Sequence, residues 1–543
     1  MLRSPSEMVV HYRETIGDVP PRLIGASITL GGQKLYLFGG SLASASETRL
    51  LSALYAFDLE LLKWERIKPA PEDSVPNARY FHTADMWNNH LVVFGGLGAR
   101  GNNAKSEQLQ VLNDVRLFNI STRRWLPPAR TPGLSPLTLV PRPRHTHLSC
   151  ISSNRLLIIG GQDFFGERLD DVCVYDLGKK EWIQRQQYAP TLKHAFAATS
   201  QWHTRTPLPD AVATGPDGPP LPEPLSYSER VTNKSPSDIY IYSSDHPQRR
   251  LDVMSPLPNA EIQLKDSPVG ASQPPSLHFP SGGILGNTLI LAGNYPSENK
   301  DHLFFMWTLD LATNTWSPID TGDSLKNGSW STGFLWHSHS KLVVFGNRIG
   351  AFVDAANQLV LGWNEVAVVD LQALGIYQPP PLKMDEANQR LGLAALADGR
   401  RGDFDFLCED GRRIHCRRKT IMERWPWFHE QQMRLMRMGD DPSTSIKHGK
   451  RTEITVTRTS CSLSQSYPVT MALLQYFYSM VLGTPLQRAP AVLSNLLLIS
   501  TEFQIPHLQA LVRHAMHLAL SEATAAGVYE IAASCGCRSL QIR

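Results

Sequence analysis

Residues 91–96 read Leu-Val-Val-Phe-Gly-Gly, an apolar strand closed at Gly95 and Gly96 by a pair of turn-forming residues. The same pattern returns as LYLFGG ending at Gly39 and Gly40, LLIIGG ending at Gly160 and Gly161, LILAGN ending at Gly293 and Asn294, and LVVFGN ending at Gly346 and Asn347. Unbroken apolar runs of this length fit strands covered on both faces, as in a sheet stacked between two others. Glycine serves where φ turns positive and asparagine tolerates that region, so Asn294 and Asn347 are expected to keep the same backbone path.

Working outward from these runs, a second block follows in each copy: ALYAFDLELLKW to Trp64, DVRLFNISTRRW to Trp125, DVCVYDLGKKEW to Trp182 and FMWTLDLATNTW to Trp316. The strand ends at Asp58, Asn119, Asp176 or Asp310, residues suited to a turn, and a Trp follows six residues later in all four. A large ring at that point is expected to cover the face of the next sheet. The last copy, EVAVVDLQALGI, puts Ile376 where the Trp belongs. Upstream of the glycine strands, ARYFHTA and PRHTHLS place Arg79 with His82 and Arg144 with His147 at matching distances from Gly96 and Gly161. With no carboxylate or Cys at ligand spacing, these pairs read as hydrogen-bonded ties between neighbouring units and not as metal sites.

Between His194 and Leu257 the diglycine is missing, but HAFAAT, DIYIYSSD and RRLDVMSPL offer three strands of a fourth unit. An insert at about 205–236, rich in Pro and polar residues, is expected to be a disordered surface loop whose PPLPEP run offers a polyproline docking motif. A unit roughly every 50 to 60 residues is the period of a β-propeller. Residues 1–377 thus resemble a six-bladed all-β Kelch propeller. Val10-His11-Tyr12-Arg13 is similar to Lys63-Trp64-Glu65-Arg66, so the N-terminus is expected to donate the outer strand that closes the ring.

The remaining chain changes character. Residues 378–402 read as a linker with a short helix. DFDFLCEDGRRIHCRR then forms a hairpin about Asp410-Gly411, and Trp425-Pro426-Trp427-Phe428 follows a short helix. Residues 403–520 resemble an α+β BTB/POZ domain, with Arg417 standing where that family usually has His. Residues 521–543 resemble the start of a BACK extension. The resemblance implies homodimerisation and docking of a cullin scaffold of ubiquitin ligases, with Phe428, Met438 and Asp440 as the candidate contact.

The 543 residues carry 53 basic and 50 acidic side chains for a net charge of +3, which gives no strong field for nucleic acid or anionic lipid. Seven cysteines without disulfide-framework spacing suit a reducing, cytoplasmic setting. No run approaches the roughly 18 apolar residues of a membrane span. Neither cofactor nor metal nor catalytic residue is expected. Galactose oxidase also uses Kelch-type blades, but its copper chemistry needs a crosslinked Tyr–Cys pair, and Cys150 and Cys173 fall inside expected strands. The reading is a non-enzymatic adaptor: the propeller takes a protein client and the BTB-like part dimerises or recruits a ligase. The alternative is a cell-polarity or Ras-pathway scaffold that recruits none. Client contacts are expected on loops after the glycine turns, at Arg100 and Lys105 and at Asp163 and Arg168.

Overall fold

The computed structural model describes residues 8–43, 49–99, 109–128, 138–188, 195–205, 225–232, 236–244, 250–256, 261–264, 273–296, 302–326, 328–348, 354–355, 358–400, 402–438 and 445–543. The chain divides into two units. The first holds residues up to His203 and Arg230–Leu371; the second holds Gln372–Arg543 and the described part of Thr204–Glu229.

The first unit is a ring of six antiparallel blades. In the first, Ser27–Gly31, Lys34–Phe38, Leu54–Asp58 and Lys63–Ile67 pair in order. Equivalent four-stranded meanders start at Thr83, Leu148, Ala195 and His278. The sixth takes Ser329–Trp336, Lys341–Asn347 and Glu365–Asp370 from its own stretch and its outer strand, Val10–Glu14, from the N-terminus. The expected closure is therefore present. Its register puts Val10 opposite Val369, the place where Trp64 faces Phe57 in the first blade. Val10, and not Ile376, fills the missing Trp position. First strands touch their neighbours all the way round, which makes them the inner wall of the ring.

The glycine pattern has two physical causes. In the first three blades all six glycines have φ between +59° and +100°. In the fifth and sixth, none of Gly293, Asn294, Gly346 and Asn347 is left-handed; the strands Thr288–Pro296 and Lys341–Asn347 run straight through. Asparagine there does not preserve a turn. Glycine is needed instead for close approach: a Cβ on Gly346 would lie 2.3 Å from the Ser329 carbonyl oxygen. At Gly95 both causes act, since φ is +66° and a Cβ would sit 2.8 Å from the Arg144 carbonyl oxygen. Gly95→Ala is expected to cost about 2 to 3 kcal/mol, against about 1 kcal/mol for Gly166→Ala, where φ is +79° but the space is open. Urea unfolding midpoints of the two variants check the difference.

Each of the four Trp residues is buried and packs back against the preceding blade, not forward onto the next. Trp64 meets Phe345 of the sixth blade, Trp125 meets Phe38 of the first, Trp182 meets Phe94 of the second, and Trp316 meets Tyr242 of the fourth. Asp58, Asn119, Asp176 and Asp310 accept backbone N–H groups two or three residues on, and the residue two before each Trp has positive φ. That turn returns the chain so that its ring faces backwards.

The second unit is α+β. Its sheet runs Arg413–Cys416, Phe404–Leu407, Ser460–Leu463, Ile454–Val456, Ile446–His448, with Phe404–Leu407 parallel to Ser460–Leu463. Helices Tyr467–Ser479, Pro490–Glu502 and Pro506–Leu518 follow, then Ala525–Ser534 and Arg538–Ile542. Trp425 is the hub of the core, stacked on Phe477 at 5.0 Å and on Phe428 at 5.7 Å.

Two expected boundaries need correction. Residues 378–402 are no linker: the helix Glu386–Asp398 buries Leu396 in the second unit's core, and a Cβ on Gly392 would lie 2.0 Å from the Tyr478 carbonyl oxygen. The division falls after Leu371. Nor is the whole insert a loose loop. Leu225 and Tyr227 are buried in the second unit's core, and Ser228 donates to the Pro379 carbonyl at 2.7 Å. Leu225 leads into the strand Tyr227–Arg230, whose first two residues, Tyr227 and Ser228, are both buried at the end of the Pro-rich tract. The PPLPEP run lies outside the described residues.

Candidate functional site

An antiparallel meander puts its first-to-second and third-to-fourth connections at one end and all others at the opposite end. In this propeller the first end carries tight turns such as Gly31–Lys34, and the other carries the long segments that follow the glycine strands and lead into each blade. Small strands reinforce this wide end: Leu23–Ile24 pairs with both Ser41–Leu42 and Leu361 and Val360, and Arg79–Tyr80 pairs with Leu97 and Gly98.

The wide end is held by a repeated tie. Arg79 is buried, donates to both carboxylate oxygens of Asp114 at 2.8 and 2.9 Å and to the Gly95 carbonyl at 3.1 Å, while its own carbonyl accepts the Gly40 N–H at 2.8 Å. Sixty-five positions on, in the next blade, Arg144 does the same with Asp171 at 2.6 and 3.2 Å, the Gly160 carbonyl at 2.9 Å and the Gly96 N–H at 2.9 Å. His82 shares a hydrogen bond with Ser27 at 2.8 Å and stands edge-on to Phe38; His147 does so with Thr83 at 2.9 Å and with Phe94. Burial, with Arg144 adding to it, pushes the His147 imidazole down to about 3; burial and Arg79 push His82 well below its ordinary value. Both rings are neutral at pH 7 and link adjacent blades. Among the described residues no group of three His, Cys, Asp or Glu side chains is arranged to hold a metal ion.

Of the expected client contacts, Arg100 and Lys105 lie outside the described residues. Asp163 is engaged within its own turn, where its carboxylate accepts the Phe165 N–H at 2.9 Å and the Glu167 N–H at 3.0 Å, and its own N–H donates to the Glu167 carbonyl at 3.0 Å. Arg168 is exposed beside it. The turn they build presents a feature that sequence reasoning misses. Phe164 and Phe165 are 59% and 87% exposed and stand edge to face at 5.7 Å. A tightly bonded turn that holds two aromatic rings in solvent is preorganised for an apolar pocket.

In the second unit, the expected cullin contact does not hold together. Phe428 is fully buried between Trp425 and Phe404 and offers nothing to a partner. Its alignment with a motif carries no information about burial. Met438 is 62% exposed at the end of the helix Pro426–Arg437, with Met433 and Met436 on its last turns also exposed. Asp440 lies outside the described residues. Arg417 donates its backbone N–H to the Tyr478 hydroxyl at 2.7 Å, just before the helix Arg418–Arg424. Cys150 and Cys173 are buried in strands, and burial raises both thiols.

Residues 4–207 match the model of the KLHDC2/KLHL20/DRC7 Kelch-repeats domain. The matched stretch takes in the first three blades, which are thus similar to Kelch repeats. Protein ral2 of Schizosaccharomyces pombe is 24% identical over 592 aligned residues, which cover 97% of this chain and 92% of ral2. The negative regulator of sporulation MDS3 of Candida albicans is 24% identical over 350 residues, 56% of this chain but 24% of MDS3. Human Kelch domain-containing protein 1 is 26% identical over 207 residues, 36% of this chain and 48% of the human protein. The similarity to ral2 thus runs through both units, whereas the chain spans less than half of the other two relatives. Among the described residues, no helix is long and apolar enough to cross a membrane.

Proposed function

We propose that this chain is a non-enzymatic adaptor whose Kelch propeller binds a protein client at its wide end, while the second unit, BTB/POZ-like in the order of its strands and helices, dimerises or recruits a cullin-type ubiquitin ligase in the cytoplasm. The observation that carries the client half is the rigid turn Asp163–Glu167 with its exposed Phe164 and Phe165 beside Arg168. Exposed aromatics on a fixed scaffold are the side chains that dominate protein interfaces. For the second half, the support is the hairpin, crossing strand and helical pairs of residues 403–520 and the exposed Met438.

Affinity purification of the full chain with mass spectrometry tests both halves. The double variant Phe164→Ser/Phe165→Ser is expected to lose its client by about tenfold or more in affinity; an unchanged client yield places the surface wrongly. A cullin in the wild-type eluate supports ligase recruitment. Its absence favours the second reading, a scaffold in cell-polarity or Ras-type signalling that recruits no ligase. Light scattering of the full chain as a monomer would remove the dimer.

A further inference from the structure

Away from the Phe164–Phe165 turn, a groove of about 660 Å³ opens between the first and second blades. Its surface is apolar where Leu51, Ile67, Val75, Pro76 and Trp125 meet. Arg49, Arg66 and Lys68 also line it, all three exposed, and no carboxylate does.

The charge on this groove is left over from the pairing around it. Arg116 pairs with Asp114, Arg123 with Glu65, and Arg124 with Glu72 and Asp73. Asp114, Glu65, Glu72 and Asp73 are thereby taken up by cations of the second blade, and Asp18 accepts the backbone N–H of Arg66 at 3.1 Å without an ion pair to its side chain. Among the described residues Arg49, Arg66 and Lys68 form no ion pair. Three unpaired cations beside an apolar cleft suit a ligand that carries negative charge and apolar side chains together, since each cation keeps its full attraction and the cleft gains from burial. A nucleic acid would leave the apolar surface unused, and a purely apolar helix would leave the cations unanswered.

We infer that this groove binds an acidic peptide segment of a partner protein, with its carboxylates on Arg49, Arg66 and Lys68 and an apolar side chain laid over Ile67, Val75 and Trp125. The inference rests on the adaptor reading and adds to it a second contact, separate from the aromatic turn, that selects clients by charge.

The test uses the full chain and a fluorescein-labelled peptide of alternating Asp and Leu, with a Lys and Leu peptide as the charge control, read by fluorescence anisotropy. Saturable binding of the acidic peptide is expected, weakened by added salt and by about tenfold or more in the charge-reversed Arg66→Glu/Lys68→Glu variant. Failure of the acidic peptide to saturate overturns the inference, as does equal binding by the variant. Equal binding of the Lys and Leu peptide overturns it without relying on any variant. The client eluate is scored separately. A chain that retains its client but ignores the peptide overturns the groove alone; one that binds the peptide but retains no client overturns the adaptor reading alone.

Discussion

Replacing Arg144 with alanine is expected to lower the unfolding free energy of the propeller by about 3 to 5 kcal/mol, the range found when one partner of a buried ion pair is removed. Arg144 has no exposed surface, and its partner Asp171 is itself buried. Burial alone would raise the Asp171 carboxyl, but Arg144 and Arg185 hold it below the usual carboxylate range. Without Arg144 the Gly160 carbonyl also loses a donor and the carboxylate keeps Arg185 at 2.8 Å and the weak Cys173 thiol donor at 3.7 Å. Arg79→Ala removes the same set of bonds one blade earlier, but the Asp114 side chain is 36% exposed and water can take over part of its solvation. Its cost is expected to be smaller, about 2 kcal/mol. Urea unfolding of both variants beside wild type reads the order; equal losses would mean that the ties do not act through their carboxylates.

Mild acid is expected to open the second unit. The helix Pro506–Leu518 buries His507, His514 and His517. His507 bonds with the Tyr476 hydroxyl and the Pro381 carbonyl, His514 with the Tyr377 hydroxyl at 2.8 Å and Ser226 at 3.3 Å, and His517 with Gln372 at 3.3 Å. Burial pushes the three imidazoles down to about 4, 4 and 3, helped by cations at Lys383, Arg488, Arg513 and Arg543. Their folded values lie below the unfolded one, so the unfolded state binds more protons and stability falls as pH drops below about 6.5. Each ring costs about 2 kcal/mol at pH 5 relative to neutral pH, and three cost about 6 kcal/mol, comparable to the whole stability of a domain. In the propeller, Asp85 works in the opposite direction: burial raises its carboxyl to about 6, so it takes up a proton in the folded state and offsets part of the cost of His82 and His147. Hydrogen exchange at pH 7 and pH 5 is expected to show protection lost from residues 506–518 before residues 155–159. Unchanged exchange in the helix at pH 5 would show that the rings are already solvated.

The ring of blades is legible in the sequence because a two-sided strand must be apolar throughout and because the copies align without gaps. The arginine ties are legible only in part. Arg79 and Arg144 stand out by their spacing, whereas Asp114 and Asp171, at the head of the blocks DVRLFN and DVCVYD, read as strand residues and not as their partners. Asn294 and Asn347 mislead because a glycine pattern does not say whether φ or close approach is at work. Phe164 and Phe165 sit in the eleven-residue connection between the strands Arg155–Ile159 and Asp171–Asp176, where strand and helix periodicity is silent. Leu225 and Tyr227 are hidden by composition: averaged over the insert, two apolar residues vanish among prolines, yet two are enough to anchor a strand.

The buried segment Leu225–Ser228, which leads into the strand Tyr227–Arg230, has a practical consequence. Because it reaches the second unit from the middle of the fourth blade's sequence, the peptide backbone passes from one unit to the other at residues 203–204, 229–230 and 371–372. A fragment cut to begin at residue 378 therefore lacks Leu225, Tyr227 and the Ser228 bond to Pro379, as well as Gln372 and Tyr377 under the helix of histidines. Such a truncation is a chain with an open flank, and its loss of an interaction would report a missing wall and not a missing binding site. Dissection by internal replacement, with Leu225 and Tyr227 retained, is the cut that leaves both units whole.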